Sequence, residues 1–163
     1  MQPIYNQSLL AFMRINEEAC MFYESAQRKV HYPRCKTLFS DLKELHQTVA
    51  FYLTNHLDSG GQGLSKANYS NLTDFNWSDL KSNIQAQINI DTLNKIEEAE
   101  ALCLKILMEI ISNKEMEEKT IRVLKHTLWV LEENKLYLDK LHDVLDSQYN
   151  RKNESETSIN AVH

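Results

Sequence analysis

Glycine and proline are nearly missing from this chain, with three Gly and two Pro among 163 residues. Both interrupt helices, so their scarcity leaves long helical segments unopposed. Cysteine is equally sparse. Cys20, Cys35 and Cys103 are odd in number and form no Cys-x-x-Cys pair, which fits a reducing compartment better than a disulfide framework. An excess of positive charge is lacking too; the net charge of -5 excludes a general nucleic-acid binder, whose footprint would be basic. No segment approaches the ~20 apolar residues needed to span a membrane. Met1 to Arg14 has neither the basic start nor the apolar run of a signal peptide. The chain is expected to be cytoplasmic, and triplets such as Asn71-Leu72-Thr73 then carry no weight as glycosylation sites. Gly60-Gly61-Gln62-Gly63 lacks a following Lys-Ser/Thr and a preceding strand, so it is not read as a nucleotide loop. His56 and Cys35 have no marked catalytic partner.

What the chain does have is apolar periodicity. Side chains three and four apart line one helical face. Leu9, Phe12, Asn16, Ala19, Tyr23, Ala26 and Val30 make one such stripe, and Phe39, Leu42, His46, Val49 and Leu53 a second. Leu93, Ile96, Glu100, Cys103, Leu107 and Ile110 make a third. The fourth is read as Ile121, Leu124, Leu128, Leu131, Lys135 and Leu138, continuing through Leu141 or His142 to Leu145. Each stripe is broken once near its middle by a polar residue: Asn16, His46, Glu100 or Lys135. Alternating spacings of three and four are the seam of helices packed at shallow angles. Cys20 and Cys103, on or beside these stripes, read as small buried hydrophobes.

Connections of unequal length supply the topology. Pro33 disfavours helical geometry at Tyr32 and predicts a tight link between the first two helices. Ser112-Asn113-Lys114 ends the third, and a short turn leads into the fourth. Between the two hairpins a long crossover is expected to hold its own short helix: Asn76 or Ser78 can cap it, and Trp77, Leu80, Ile84 and Ile88 recur at helical spacing. The expectation is one all-α domain over 1–148, with helices at about 6–31, 35–57, 91–112 and 117–147, a crossover at 58–90 and a disordered tail at 149–163. Two antiparallel hairpins joined by a long crossover is the pattern of a ferritin-like four-helix bundle.

Particular residues point the same way. Tyr23-Glu24-Ser25-Ala26, Thr37-Leu38-Phe39, Gly60-Gly61 and Trp77-Ser78-Asp79-Leu80-Lys81 resemble a bacterial branch of the ferritin-like superfamily, a domain of unknown function, over about Gln7 to Leu145. That resemblance implies a four-helix bundle and brings no catalytic role with it.

Metal chemistry is the discriminating question. A di-iron or di-manganese carboxylate centre needs one Glu from each of two helices and a Glu-x-x-His pair from each of the others. No Glu here has a His three residues on. By resemblance to rubrerythrin-type members, their second-helix Glu falls at His46 and their His at Val49; in the fourth helix Glu132 keeps a carboxylate while the His falls at Lys135. The expected centre is therefore a polar cluster of Asn16, His46, Glu100 and Lys135, with Lys135 supplying charge to Glu100 or Glu132 and Asn16 bonding His46.

Three functions follow from these residues. The favoured one is a non-enzymatic ferritin-like bundle without cofactor, acting by binding or assembly, with a homodimer or another protein as partner. The alternative is an iron or manganese oxidase or storage protein using a depleted set, Glu17, His46, Glu97, Glu100 and Glu132. The third is an adaptor that docks an acidic partner on the basic hairpin tip, Arg28, Lys29, Arg34 and Lys36, assisted by Tyr69, Phe75 and Trp77. Arg28 and Lys29 suit a helix C-terminus, whereas Arg34 and Lys36 near a helix start run against the dipole.

Overall fold

A computed structural model describes residues 4–58, 77–84, 88–114 and 116–161. Among these the secondary structure is entirely helical: α1 (Ile4–Lys29), α2 (Pro33–Asp58), α3 (Trp77–Asn83), α4 (Ile90–Ile111), α5 (Glu118–Glu132) and α6 (Asn134–Ala161).

The ends of these helices follow local chemistry. Arg28 and Lys29 occupy the last turn of α1, where cations complement the exposed carbonyls. Pro33 opens α2 at the one position where its missing N–H costs nothing, and the Lys36 amide bonds the Tyr32 carbonyl at 3.1 Å. Asn89 caps α4, its Oδ1 accepting from the Thr92 amide at 2.8 Å.

The four long segments pack in a ring. α1 lies along α2, α2 along α5 and α6, those two along α4, and α4 returns to α1; among the described residues the backbones of α2 and α4 do not adjoin, nor does that of α1 adjoin α5 or α6, so these face each other across the ring. Named contacts give the directions. His56 near the end of α2 meets Thr120 at the start of α5 at 2.8 Å, while His46 in mid-α2 meets Asn134 at 3.4 Å, so α2 runs antiparallel to α5 and α6. Glu97 of α4 pairs with His142, and Glu100 with Asn134, so α4 is antiparallel to them as well. Helices α2 and α4 are thus parallel.

Every member of the first three stripes is buried, and Phe12, Phe22, Tyr23, Phe39, Leu42, Leu53, Leu93, Ile96 and Leu107 lie in one continuous core. Each large apolar side chain so buried contributes about 1.5–3 kcal/mol. Helix α3 lies over α1 and α4 and adds Trp77 and Leu80 to that core, with Ile84 just beyond it. Asn76, Tyr69, Phe75 and Gly60-Gly61 lie outside the described residues; Ser78 sits within α3 rather than capping it.

Two expectations for the last segment are corrected. The fourth helix, expected as one piece over 117–147, is two, joined at Glu133, where the Glu133 amide bonds the Val130 carbonyl at 3.2 Å and the Leu136 amide bonds the Glu133 carbonyl at 3.0 Å. Such three-residue bonds tighten the turn locally. The tail expected to be disordered from 149 instead continues α6 to Ala161. No Gly or Pro interrupts Asn134 to Ala161, and a helix already nucleated by packing propagates at little cost.

Candidate functional site

Halfway along the ring, four helices each turn a polar side chain inward, and the apolar core closes around them. Asn16 from α1, His46 from α2, Glu100 from α4 and Asn134 from α6 are all buried. The Asn16 Nδ2 donates to the Phe12 carbonyl at 2.8 Å, which turns its Oδ1 toward His46 Nδ1, also at 2.8 Å. On the other side of the ring, His46 Nε2 meets Glu100 Oε1 at 2.7 Å. An amide oxygen and a carboxylate oxygen both accept, so both imidazole nitrogens donate. The Tyr23 hydroxyl also donates to Glu100 Oε1, and Asn134 Nδ2 donates to Oε2 at 2.7 Å.

Glu100 therefore sits in apolar surroundings with three donors on its two oxygens. Burial alone would raise its carboxyl above 4.5; the His46 ring beside it, with the bonds from His46, Tyr23 and Asn134, outweighs burial and holds it lower. Its neighbours respond in the opposite direction. Burial first, then the Glu100 charge, pushes the Tyr23 phenol well above its ordinary 10.0, and the same two causes push the Cys103 thiol well above 9.0. The site is a buried carboxylate held by an imidazole, a phenol and an amide.

Aromatic rings seal it. Trp77 stands edge-on to His46 at 6.0 Å between centroids, and packs against Tyr23 at 5.7 Å and Phe22 at 5.3 Å. Tyr23 stacks on His46 at 5.7 Å. The crossover thus lays an indole over the ion pair, and removing water is what makes the pair and its hydrogen bonds strong.

Three of the four residues read as a cluster, Asn16, His46 and Glu100, are brought together; Lys135 is not. It is exposed, one position round from Asn134, and the place beside Glu100 that Lys135 was expected to take is held by His46 and Asn134. The reason is the cost of burial: an ammonium there would need its own partners, whereas an amide donates to Glu100 without adding a charge. Asn134 and the donor role of Tyr23 escaped the sequence reading.

The depleted metal set is dispersed. Of Glu17, His46, Glu97, Glu100 and Glu132, only His46 and Glu100 meet. Glu17 is paired with Arg14 at 2.9 Å, Glu97 with His142, and Glu132 is exposed. Both ring nitrogens of His46 and both oxygens of Glu100 are already engaged. Among the described residues no group of three or more His, Cys, Asp or Glu is arranged to hold an ion. This donor set does not fit a di-iron or di-manganese centre.

Arg28, Lys29, Arg34 and Lys36 are exposed at the first hairpin, with Arg28 bound to Glu24 at 2.9 Å. Trp77, a docking anchor in the adaptor reading alone, is packed into the core. No helix among the described residues is long and apolar enough to cross a membrane. No family model matches the chain, and neither a curated protein nor a solved structure matches it.

Proposed function

We propose that this chain is a non-enzymatic ferritin-like four-helix bundle whose centre is filled by its own side chains instead of metal, and that it acts by binding or assembly. The observation that carries the reading is the saturation of Glu100 and His46: every ligating atom of the pair is spoken for by Asn16, Tyr23 or Asn134, or by the pair itself. A site built for exchange of metal, substrate or protons keeps a ligand position open. Here none is left, and the pair's remaining effect is to fix how four helices align. Buried polar groups are retained in helical seams for that purpose.

Metal analysis of protein from cells grown with added iron and manganese tests this. The expected result is no stoichiometric metal and no change on Glu100→Ala beyond lost stability. About two ions per chain, lost together in that variant, would overturn it.

An adaptor reading has one observation of its own. Beside the basic tip, a cavity of about 440 Å³ is lined by Val30, Tyr32, Cys35, Leu145 and Lys152 among others. Val30, Cys35, Ile88 and Leu145 give it apolar lining and Lys152 a cation, which suits an acidic partner carrying an apolar anchor. Recovery of a partner that is lost when Arg34 and Lys36 are reversed to Glu would favour this reading.

A further inference from the structure

The face opposite the crossover carries a line of rings with no apolar cover among the described residues. Helix α3 lies over α1 and α4, whereas this line runs over α2 and α5. Phe51 and Tyr52 stand 6.3 Å apart, Tyr52 meets His126 edge-on at 5.2 Å, and His126 meets Trp129 at 5.9 Å. Phe51 is 62% exposed and Trp129 59%. Aromatic side chains so placed are the usual anchors of a protein interface.

Charge on α5 identifies the partner. On the exposed side of this helix, Arg122 and Lys125 precede Trp129 and Glu132 and Glu133 follow it. Between Arg122 and Glu133 the strip is positive at one end, aromatic in the middle and negative at the other, with Glu118 one turn before Arg122. A surface with that order is complementary to itself turned end for end, which is the condition for a twofold interface. Sliding two antiparallel copies of α5 together so that His126 faces the second copy's Trp129 puts Arg122 opposite its Glu133. The same register leaves Lys125 two residues from the level of its Glu132, a shift of roughly 3 Å at 1.5 Å per residue. Arg122 is also held by Glu118 at 2.7 Å within its own helix, but that pair is fully at the surface and readily exchanged.

We propose that the α2–α5 face is the contact for a second copy of this chain, an antiparallel homodimer centred on His126 and Trp129. The inference rests on the assembly reading above and gives it a surface. Phe51 and Tyr52 flank the axis and are covered by the second copy, while the charges at each end set the register and forbid the parallel arrangement, which would place like charges together.

Sedimentation equilibrium of the full chain tests this, with the metal content of the same samples measured alongside. The wild type is expected to dimerise, and Trp129→Asp to be monomeric with an unchanged helical signal and unfolding midpoint at low concentration. Lys125→Glu and Glu132→Lys each meet like charge twice across the axis and are expected to weaken association by about tenfold or more. Combining the two restores opposite charges, and dimerisation should return to within about threefold of the wild type, given that well-placed reversals need not be fully equivalent. A chain monomeric at every concentration overturns the proposal, as does a dimer indifferent to Trp129→Asp. A monomer whose unfolding midpoint falls on Trp129→Asp also overturns it, by showing that the chain covers the strip itself. Bound metal lost on Glu100→Ala in these samples counts against the closed centre, whatever the state of association.

Discussion

Removing the two halves of the buried pair separately and together should give losses that do not add. Glu100→Met removes the partner of His46 Nε2 from an apolar core and strands the Tyr23 hydroxyl and the Asn134 amide. His46→Leu leaves the Glu100 carboxylate without its countercharge and Asn16 Oδ1 without a donor. Breaking a buried pair from either side costs about 3–5 kcal/mol. Independent losses would then total about 6–10 kcal/mol in the double variant. They are not independent, because with both changes made no unpaired charge remains. What remains is the Tyr23 hydroxyl, the Asn134 amide and the Asn16 oxygen, and at about 1–2 kcal/mol each the double variant should lose about 3–6 kcal/mol. Taken at mid-range, about 8 kcal/mol against about 4.5 kcal/mol, the expected coupling is about 3–4 kcal/mol. Urea unfolding of the four proteins measures it, each loss taken from the midpoint at constant slope. Since a domain of this size is stable by about 5–15 kcal/mol, Glu100→Gln and His46→Gln provide a milder cycle if the first singles do not fold. Additivity within about 0.5 kcal/mol in both cycles would refute the account of a single charge-neutral centre.

Acid should act through the same carboxylate. The folded state holds the Glu100 carboxyl below 4.5, so the stability it supplies is complete above that pH and is lost as pH falls through the lower, folded value. Unfolding free energies measured across this range should fall with acid in the wild type and less steeply in Glu100→Gln; parallel curves would contradict the linkage. Thiol reactivity offers an independent readout of burial. Cys103 and Cys35 are buried with raised values, and Cys20, mainly through burial, is pushed up to about 11, so at pH 8 only about a thousandth of Cys20 is thiolate. Labelling with an aromatic disulfide should therefore be slow for all three and accelerate on unfolding; one fast-reacting equivalent would show a thiol that is open and ionised. Neighbouring substitutions in α6 should differ sharply: Lys135→Ala within about 0.5 kcal/mol of wild type, Asn134→Leu down by about 1–3 kcal/mol because Glu100 Oε2 loses its donor. Equal effects in denaturant titrations would restore the register read from sequence.

That last comparison marks where sequence periodicity succeeds and where it fails. Three stripes were legible because their apolar residues outnumber the polar interruption and leave one choice of face; Phe12, Ala19, Tyr23 and Ala26 admit no other placement for Asn16. The fourth segment offers two faces. Leu124, Leu128, Leu131, Lys135 and Leu138 form one stripe, and Leu124, Thr127, Leu131, Asn134, Leu138, Leu141 and Leu145 form another with the same alternation of three and four; the second is the buried one. Hydrophobicity alone disfavours it, because Thr127 and Asn134 count against an apolar face. Thr127 bonds the Val123 carbonyl at 2.9 Å, and Asn134 bonds Glu100, so neither brings an unpaired donor into the core. A lysine in the same place would have to bring a full charge. Between two equally regular stripes, one holding an uncharged hydroxyl and amide and the other an ammonium, desolvation decides, and it decides by several kcal/mol where a mismatched apolar contact costs about one. The rule that follows is specific to seams of this kind: where two registers compete, the one whose polar residues can pair without a net charge is buried, even when it is the less hydrophobic of the two.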